Sequence, residues 1–196
     1  MLTPRPLSVV VLLSGSGTLL QTVLDAVAAG ILDAEIVAVG SDRAGAHGLE
    51  RARAAGVPTF VHPLGKGDDR VAWDVGLADL VDSYHPDLVV SAGFMKLVGA
   101  AFLAHFGDRF INTHPALLPA FPGAHAVRDT LAYGVKVTGC TVFVVDAGID
   151  TGRIIAQEPI AVEPGDTEDT LHERIKVVER RMLVDAIDRF ATERTL

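Results

Sequence analysis

An amide and an imidazole stand two residues apart in Asn112-Thr113-His114-Pro115-Ala116-Leu117-Leu118-Pro119, at the close of an apolar run. Residues two apart on a strand point to one face, so Asn112 and His114 converge while Thr113 turns away. Pro115 has no N–H for a ladder, which puts the pair at the carboxyl end of a strand, where open α/β sheets collect their ligands. An amide donor beside a titratable ring suits a developing oxyanion. Taken alone, the same residues also fit a satisfied Asn and a surface His before a turn.

Two carboxylates lie in the glycine-containing stretch Asp146-Ala147-Gly148-Ile149-Asp150-Thr151-Gly152. One of them beside His114 would favour the imidazolium, a cation suited to an oxyanion. Spacing does not choose between Asp146 and Asp150, and either fits an ordinary turn. A third candidate is Ser14-Gly15-Ser16-Gly17-Thr18, where glycines let the backbone approach a phosphate and a following helix offers free N–H groups. Leu20 replaces the third glycine of the dinucleotide fingerprint and the Walker lysine is absent, so a glycine turn without a ligand is the alternative. Lys176 and Glu179 lie one helical turn apart, as a shared patch or a solvated ion pair. Arg70 and Lys96 fit surface charges or contacts to an anionic ligand tail.

Elements to position these residues follow in regular alternation. Val9 to Leu13 is a buried strand, and a helix through Leu19, Leu20, Val23, Leu24 and Val27 ends near Gly30. Ile36 to Val39 is a strand, Gly48 to Ala55 a helix, and Val57 to Val61 a short strand. A helix runs from about Asp69 to Ser83, then strands at Leu88 to Val90 and Arg109 to Thr113. Strand, glycine loop and helix open a mononucleotide-binding unit, and the alternation predicts a doubly wound, mostly parallel sheet. The rhythm then changes. A proline-rich loop from His114 to Gly123 leads to a helix from about His125 to Tyr133. Val137 to Val145 and Arg153 to Ile160 read as a hairpin. The chain closes on a long helix with Leu171, Ile175, Val178 and Met182 at helical spacing, capped by Asp166 or Thr167.

The 196 residues predict a single domain over 1–196, with nearly half of them hydrophobic but only one Trp and two Tyr. Such a composition suits a buried sheet of Val, Ile, Leu and Ala. A net charge of −8 without Lys/Arg clusters argues against nucleic acid as a partner. The N-terminal apolar burst from Leu7 to Leu13 is too short to span a membrane and has no signal-peptide pattern. Cys140 is the only cysteine. It excludes an intramolecular disulfide and a thiolate metal cluster, fits a cytoplasmic location, and reads as core packing in a buried strand.

Five ordered segments together are more specific: Ser14 to Leu19, Ala92-Gly93-Phe94-Met95, Asn112 to Pro119, Phe121-Pro122-Gly123 with His125, and Asp146 to Gly152. Over nearly the whole chain they resemble the phosphoribosylglycinamide formyltransferase family, the folate-dependent enzymes of purine synthesis. The resemblance implies a Rossmann-like formyltransferase fold of about seven strands. Residues 1–105 would be mainly phosphate-binding, and 106–196 catalytic and folate-binding. It implies formyl transfer from 10-formyltetrahydrofolate to glycinamide ribonucleotide, with no metal required, by a monomer or homodimer. Asn112, His114 and Asp150 would be catalytic. The ribonucleotide would meet Gly15, Ser16, Gly17, Thr18, Leu19, Lys176 and Glu179. The folate would meet Arg70, Met95, Lys96, Leu97, Val98, Asp146, Ala147 and Gly148. The X-Pro turn and the resemblance point to a cis Leu118–Pro119 peptide. Leu19, Ala116 and Lys96 depart from the asparagine, serine and arginine common in the family.

Four alternatives fit the residues less well. Methionyl-tRNA formyltransferases carry a further C-terminal domain with a basic surface, and formyltetrahydrofolate hydrolases carry an N-terminal regulatory domain for which no room lies before Val9. A dinucleotide oxidoreductase would use Gly15, Gly17 and Asp42, and would leave Asn112 to Pro119 unexplained. A non-catalytic nucleotide-binding protein would have no use for His114 and Asp150 together.

Overall fold

Val9, Val11 and Leu13 bury toward one face of the first strand while Val10 and Leu12 bury toward the other, which commits that strand to the centre of a sheet covered on both sides. The computed structural model describes residues 5–193. Seven strands form one sheet: β1 (Leu7–Leu13), β2 (Ala34–Ser41), β3 (Thr59–Val61), β4 (Leu88–Ser91), β5 (Phe110–His114), β6 (Val137–Val144) and β7 (Ile154–Ala161), in the order β3-β2-β1-β4-β5-β6-β7. The first five are parallel, and β6 and β7 pair antiparallel as the expected hairpin. The order reverses between β1 and β4, and the crevice there is where such sheets bind ligands.

Helices α1 (Thr18–Ala28), α2 (His47–Ala54) and α6 (Glu168–Glu193) pack with Ile111, Cys140 and Val142 on one face. On the other, α3 (Arg70–Asp82) and α4 (Ala100–Phe106) gather Trp73, Leu77, Phe102 and Phe106 over Val10, Val89 and Phe110. Helix α5 (Ala126–Tyr133) precedes the hairpin. Cys140 is fully buried and burial pushes its thiol well above the usual range, which suits packing and not attack. The cap of α6 resolves to Thr167, whose hydroxyl accepts the Thr170 N–H while the Thr170 hydroxyl accepts the Thr167 N–H. Asp166 instead binds Arg174.

Helix α4 has no counterpart in the sequence reading. Its seven residues are too few for a clear period, and Gly99 at its start has no side chain to cap it. The cap comes from a distance. Asp74, buried on α3, accepts the N–H groups of Gly99 and Phe102. Asp74→Ala would strand both donors, and we expect a loss of about 1.5–3 kcal/mol or more, seen as a lower urea midpoint with an unchanged slope. Asp74→Asn should recover part of it, because the amide oxygen still accepts.

Candidate active site

Strand β5 lies between a parallel and an antiparallel neighbour, with Asn112 opposite Ser91 on β4 and Phe143 on β6. Alternation puts Asn112 and His114 on the α3/α4 face and Thr113 on the α6 face. The Asn112 amide is half-buried and makes no hydrogen bond to the described residues, so its donors remain available to a ligand. His114 is only 4% exposed. Its Nε2 lies 2.8 Å from the Phe121 carbonyl oxygen, and its Nδ1 lies 3.4 Å from Asp150 Oδ2.

The hairpin connection decides between the two acidic candidates. Asp146 folds back on its own loop, where Oδ1 accepts the Gly148 N–H at 3.0 Å and the Thr151 hydroxyl at 2.7 Å. Asp150 reaches across to His114, and its Oδ2 also accepts the Gly123 N–H at 2.7 Å. Its φ is +55°, a left-handed conformation that Asp tolerates better than most residues. The Leu118–Pro119 peptide in the intervening loop is cis.

Behind β5, the Thr113 hydroxyl donates to Glu179 Oε1 at 2.6 Å. Burial raises the Glu179 carboxyl above its ordinary 4.5, opposed by the Thr113 hydrogen bond and by Lys176 and Arg180. For an acid raised in the folded state the sign runs against stability at high pH. Below about pH 4.5 the folded and unfolded states both hold the proton, and the cost of ionisation grows as pH climbs from there through the folded value. Glu179→Gln removes that titration. Urea midpoints taken from pH 4 to 8 should therefore shift in favour of the variant as pH rises.

The glycine loop is braced by α2 and by the loop after β4. Ser14 donates its N–H to the Gly93 carbonyl at 3.0 Å and accepts the Met95 N–H on its hydroxyl at 2.8 Å. The Gly15 carbonyl accepts the Gly48 N–H at 3.0 Å, and the Ser16 carbonyl accepts Arg51 Nε at 2.9 Å. In a planar trans peptide the N–H points opposite to the preceding C=O, so tying these carbonyls to α2 turns the Ser16 and Gly17 N–H groups away from it. Gly15 and Ser16 are exposed, Thr18 and Leu19 half-buried. The loop thus presents amides at the start of α1 in the manner of an anion nest.

The remaining predicted residues are more dispersed. Arg70 donates to the Leu97 carbonyl and lies over the Trp73 ring, while Met95 and Leu97 are 66% and 55% exposed. Val98 packs on the α3/α4 core. Lys96 turns toward the Leu64 carbonyl at 3.4 Å and Asp42 Oδ2 at 3.8 Å. Asp42 is buried, and its Oδ1 has no hydrogen-bond partner among the described residues. Lys176 pairs with Glu173 at 2.8 Å rather than with Glu179. Asp146, Ala147 and Gly148 are exposed, and the first two line a cleft of about 800 Å³ shared with Leu103, Arg109, Val145 and Arg153. Asn112, His114 and Asp150 do not line it.

Sequence reasoning gave no role to Gly48 and Arg51, which act on backbone carbonyls from another helix. Phe121 and Gly123 stand in one of the five segments that carry the resemblance, but they act through their own main chain, so the motif names them without showing what they hold. Among the described residues no group of three or more His, Cys, Asp or Glu is placed to hold a metal, and no helix is long and apolar enough to cross a membrane.

A family model described as formyl transferase matches residues 7–187, from the start of β1 into the last turns of α6. The chain belongs to the formyl transferase family and is an enzyme. Its relatives in that family include phosphoribosylglycinamide formyltransferases. It is 56% identical over 187 residues to phosphoribosylglycinamide formyltransferase of Mycobacterium tuberculosis, covering 95% of this chain and 86% of that protein. The Escherichia coli (strain K12) protein of the same name is 39% identical over 188 residues, covering 96% and 89%. The crystal structure of glycinamide ribonucleotide transformylase 1 from Symbiobacterium toebii matches with a TM-score of 0.94 at 45% identity, over 98% of this chain and 91% of that one.

Proposed function

We propose that this chain transfers the formyl group of 10-formyltetrahydrofolate to the amine of glycinamide ribonucleotide in purine synthesis. The observation that carries the reading is the meeting of Asn112, His114 and Asp150 at one strand end, with Asp150 Oδ2 3.4 Å from His114 Nδ1, in a member of this family. Residues 1–196 act as one formyltransferase unit, the first half mainly cradling phosphate and the second, from about 106, mainly supplying catalysis and folate contacts.

In this reading the substrate amine attacks the formyl carbon, a C–N bond forms, and the carbonyl oxygen becomes an oxyanion. Asn112 donates to that oxygen, and His114 in its cationic form donates a second hydrogen bond. Asp150, 3.4 Å from Nδ1, passes the proton lost by the amine, through water, to the folate nitrogen as the old C–N bond breaks. Nothing in this sequence needs a covalent nucleophile on the protein. Binding two substrates in register supplies the rest of the acceleration. The Ser16 to Leu19 amides hold the ribonucleotide phosphate, with Gly15, Lys176 and Glu179 completing that site. Arg70, Met95, Lys96, Leu97 and Val98 with Asp146, Ala147 and Gly148 form the folate side. Lys96, drawn toward Asp42, contributes mainly through the backbone of its loop.

An absorbance assay of folate consumption, with and without glycinamide ribonucleotide, tests the reading. Consumption that requires the ribonucleotide supports transfer. Consumption without it points to hydrolysis by the same residues, and no consumption in either case removes the proposal.

A further inference from the structure

We propose that the Phe121 carbonyl fixes the tautomer of His114, so that Nε2 always carries hydrogen and Nδ1 alone exchanges a proton. The inference rests on the catalytic reading of His114 and adds to it a positioning residue, Phe121, which acts through its main chain.

A carbonyl oxygen only accepts, so a ring nitrogen 2.8 Å from the Phe121 oxygen must be the donor. The opposite neutral tautomer, with hydrogen on Nδ1, would set two lone pairs against each other at that distance. A half-turn of the ring would put carbon atoms where the nitrogens are and forfeit the contacts to both Phe121 and Asp150. The neutral ring therefore holds hydrogen on Nε2 and a lone pair on Nδ1, and the cation gains its second hydrogen on Nδ1, the atom facing Asp150. At 3.4 Å this second contact is longer than an ordinary hydrogen bond. Nδ1 is thus only loosely engaged, and its in-plane donor stays open to a ligand oxygen as well as to Asp150, while Nε2 is committed.

The backbone that offers this carbonyl is unusual. Phe121 has φ +54°, a left-handed conformation that bulky residues rarely adopt and that clusters at functional sites. Its ring meets Tyr133 of α5 edge-on, with centroids 5.8 Å apart. Two residues on, the Gly123 N–H holds Asp150 Oδ2. A three-residue segment thereby sets the imidazole through one carbonyl and the carboxylate through one amide, and fixes their relative placement.

Histidine ring nitrogens report the tautomer directly by long-range proton–nitrogen correlation on the ¹⁵N-labelled, ligand-free chain, with the His114 signals identified by their loss in His114→Ala. Expected for the neutral ring are a protonated Nε2, with its hydrogen slow to exchange, and a bare Nδ1. Phe121→Val, which disfavours the left-handed backbone, should mix the two tautomers and speed that exchange. It should also lower kcat by about tenfold or more while leaving both KM values within about twofold. Phe121→Gly, which adopts positive φ freely, should restore the tautomer and most of kcat. Hydrogen on Nδ1 of the neutral ring in the unsubstituted chain would overturn the proposal by itself, even where the Val variant fails to fold. So would a Val variant with mixed tautomers and unchanged kcat. A fixed Nε2–H together with no formyl transfer would remove the reaction proposed above and leave the tautomer assignment standing.

Discussion

His114→Ala and Asn112→Ala are each expected to lower turnover by about 100-fold or more, with KM for either substrate changed only a few-fold. Both side chains are read as donors to an oxygen that is fully charged only in the transition state, so their loss falls on kcat. The fold gives little reason for collateral damage. The Asn112 side chain makes no hydrogen bond to the described residues, and the His114 ring makes one, to the Phe121 carbonyl, with Asp150 3.4 Å from its other nitrogen. Combining the two substitutions should cost less than the product of the single effects, because the donors serve one oxygen. Single-turnover rates with both substrates saturating are the measurement. Near-normal rates in both variants would sink the oxyanion assignment whatever the overall activity.

Gly17→Ala carries the second large effect, and it acts on both stability and binding. Gly17 has φ +71°, and a Cβ there would sit 2.5 Å from the Gly48 Cα, which is backbone and cannot swing aside. The left-handed conformation costs an Ala about 1–2 kcal/mol, and overpacking of this kind adds about 1–3. The sum, roughly 2–5 kcal/mol, should lower Tm by about 10 °C in a chain of this size. To relieve the clash the loop must move away from α2, loosening the Gly48 and Arg51 contacts that aim its amides. KM for the ribonucleotide should then rise at least about tenfold while KM for the folate stays near its starting value. Gly30→Ala is the control, since φ there is +70° but an added Cβ meets nothing within 4 Å and the residue lies outside the loop. A Gly17→Ala protein that is destabilised but binds the ribonucleotide normally would separate the loop from phosphate recognition.

Much of this architecture was legible from local pattern. Alternating apolar runs and glycine stops were enough for β1 to β5 and for α1, α2 and α3, because burial on both faces writes a long hydrophobic signal. The hairpin was legible because Pro115 and the later glycines broke the βα rhythm. What escaped shares one physical character. Helix α4 is capped from α3 by Asp74, and the glycine loop is braced from α2 by Gly48 and Arg51. The ring of His114 is held by a main-chain oxygen. Each is a contact distant in sequence or independent of side-chain type, and neither kind leaves a spacing to read. Asp146 and Asp150 were equivalent as turn residues by local chemistry; the resemblance pointed to Asp150, and the path of the folded connection sets it beside His114. Lys96 looked free to meet a ligand, and only the fold reveals Asp42 buried beneath it.

The junction of parallel and antiparallel pairing at β5 also fixes an order of assembly. A chain leaving the ribosome releases β1 to β4 first, and those strands with α1 and α2 already contain the braced glycine loop. Strand β5 has at that stage only one neighbour. Its second arrives with the hairpin, whose connection brings Asp150, and Glu179 lies 66 residues beyond its partner Thr113. A nascent chain therefore completes the proposed phosphate cradle well before the proposed reactive centre. On the proposed assignment, unfinished products of synthesis would carry the phosphate loop without Lys176, Glu179 or the reactive trio.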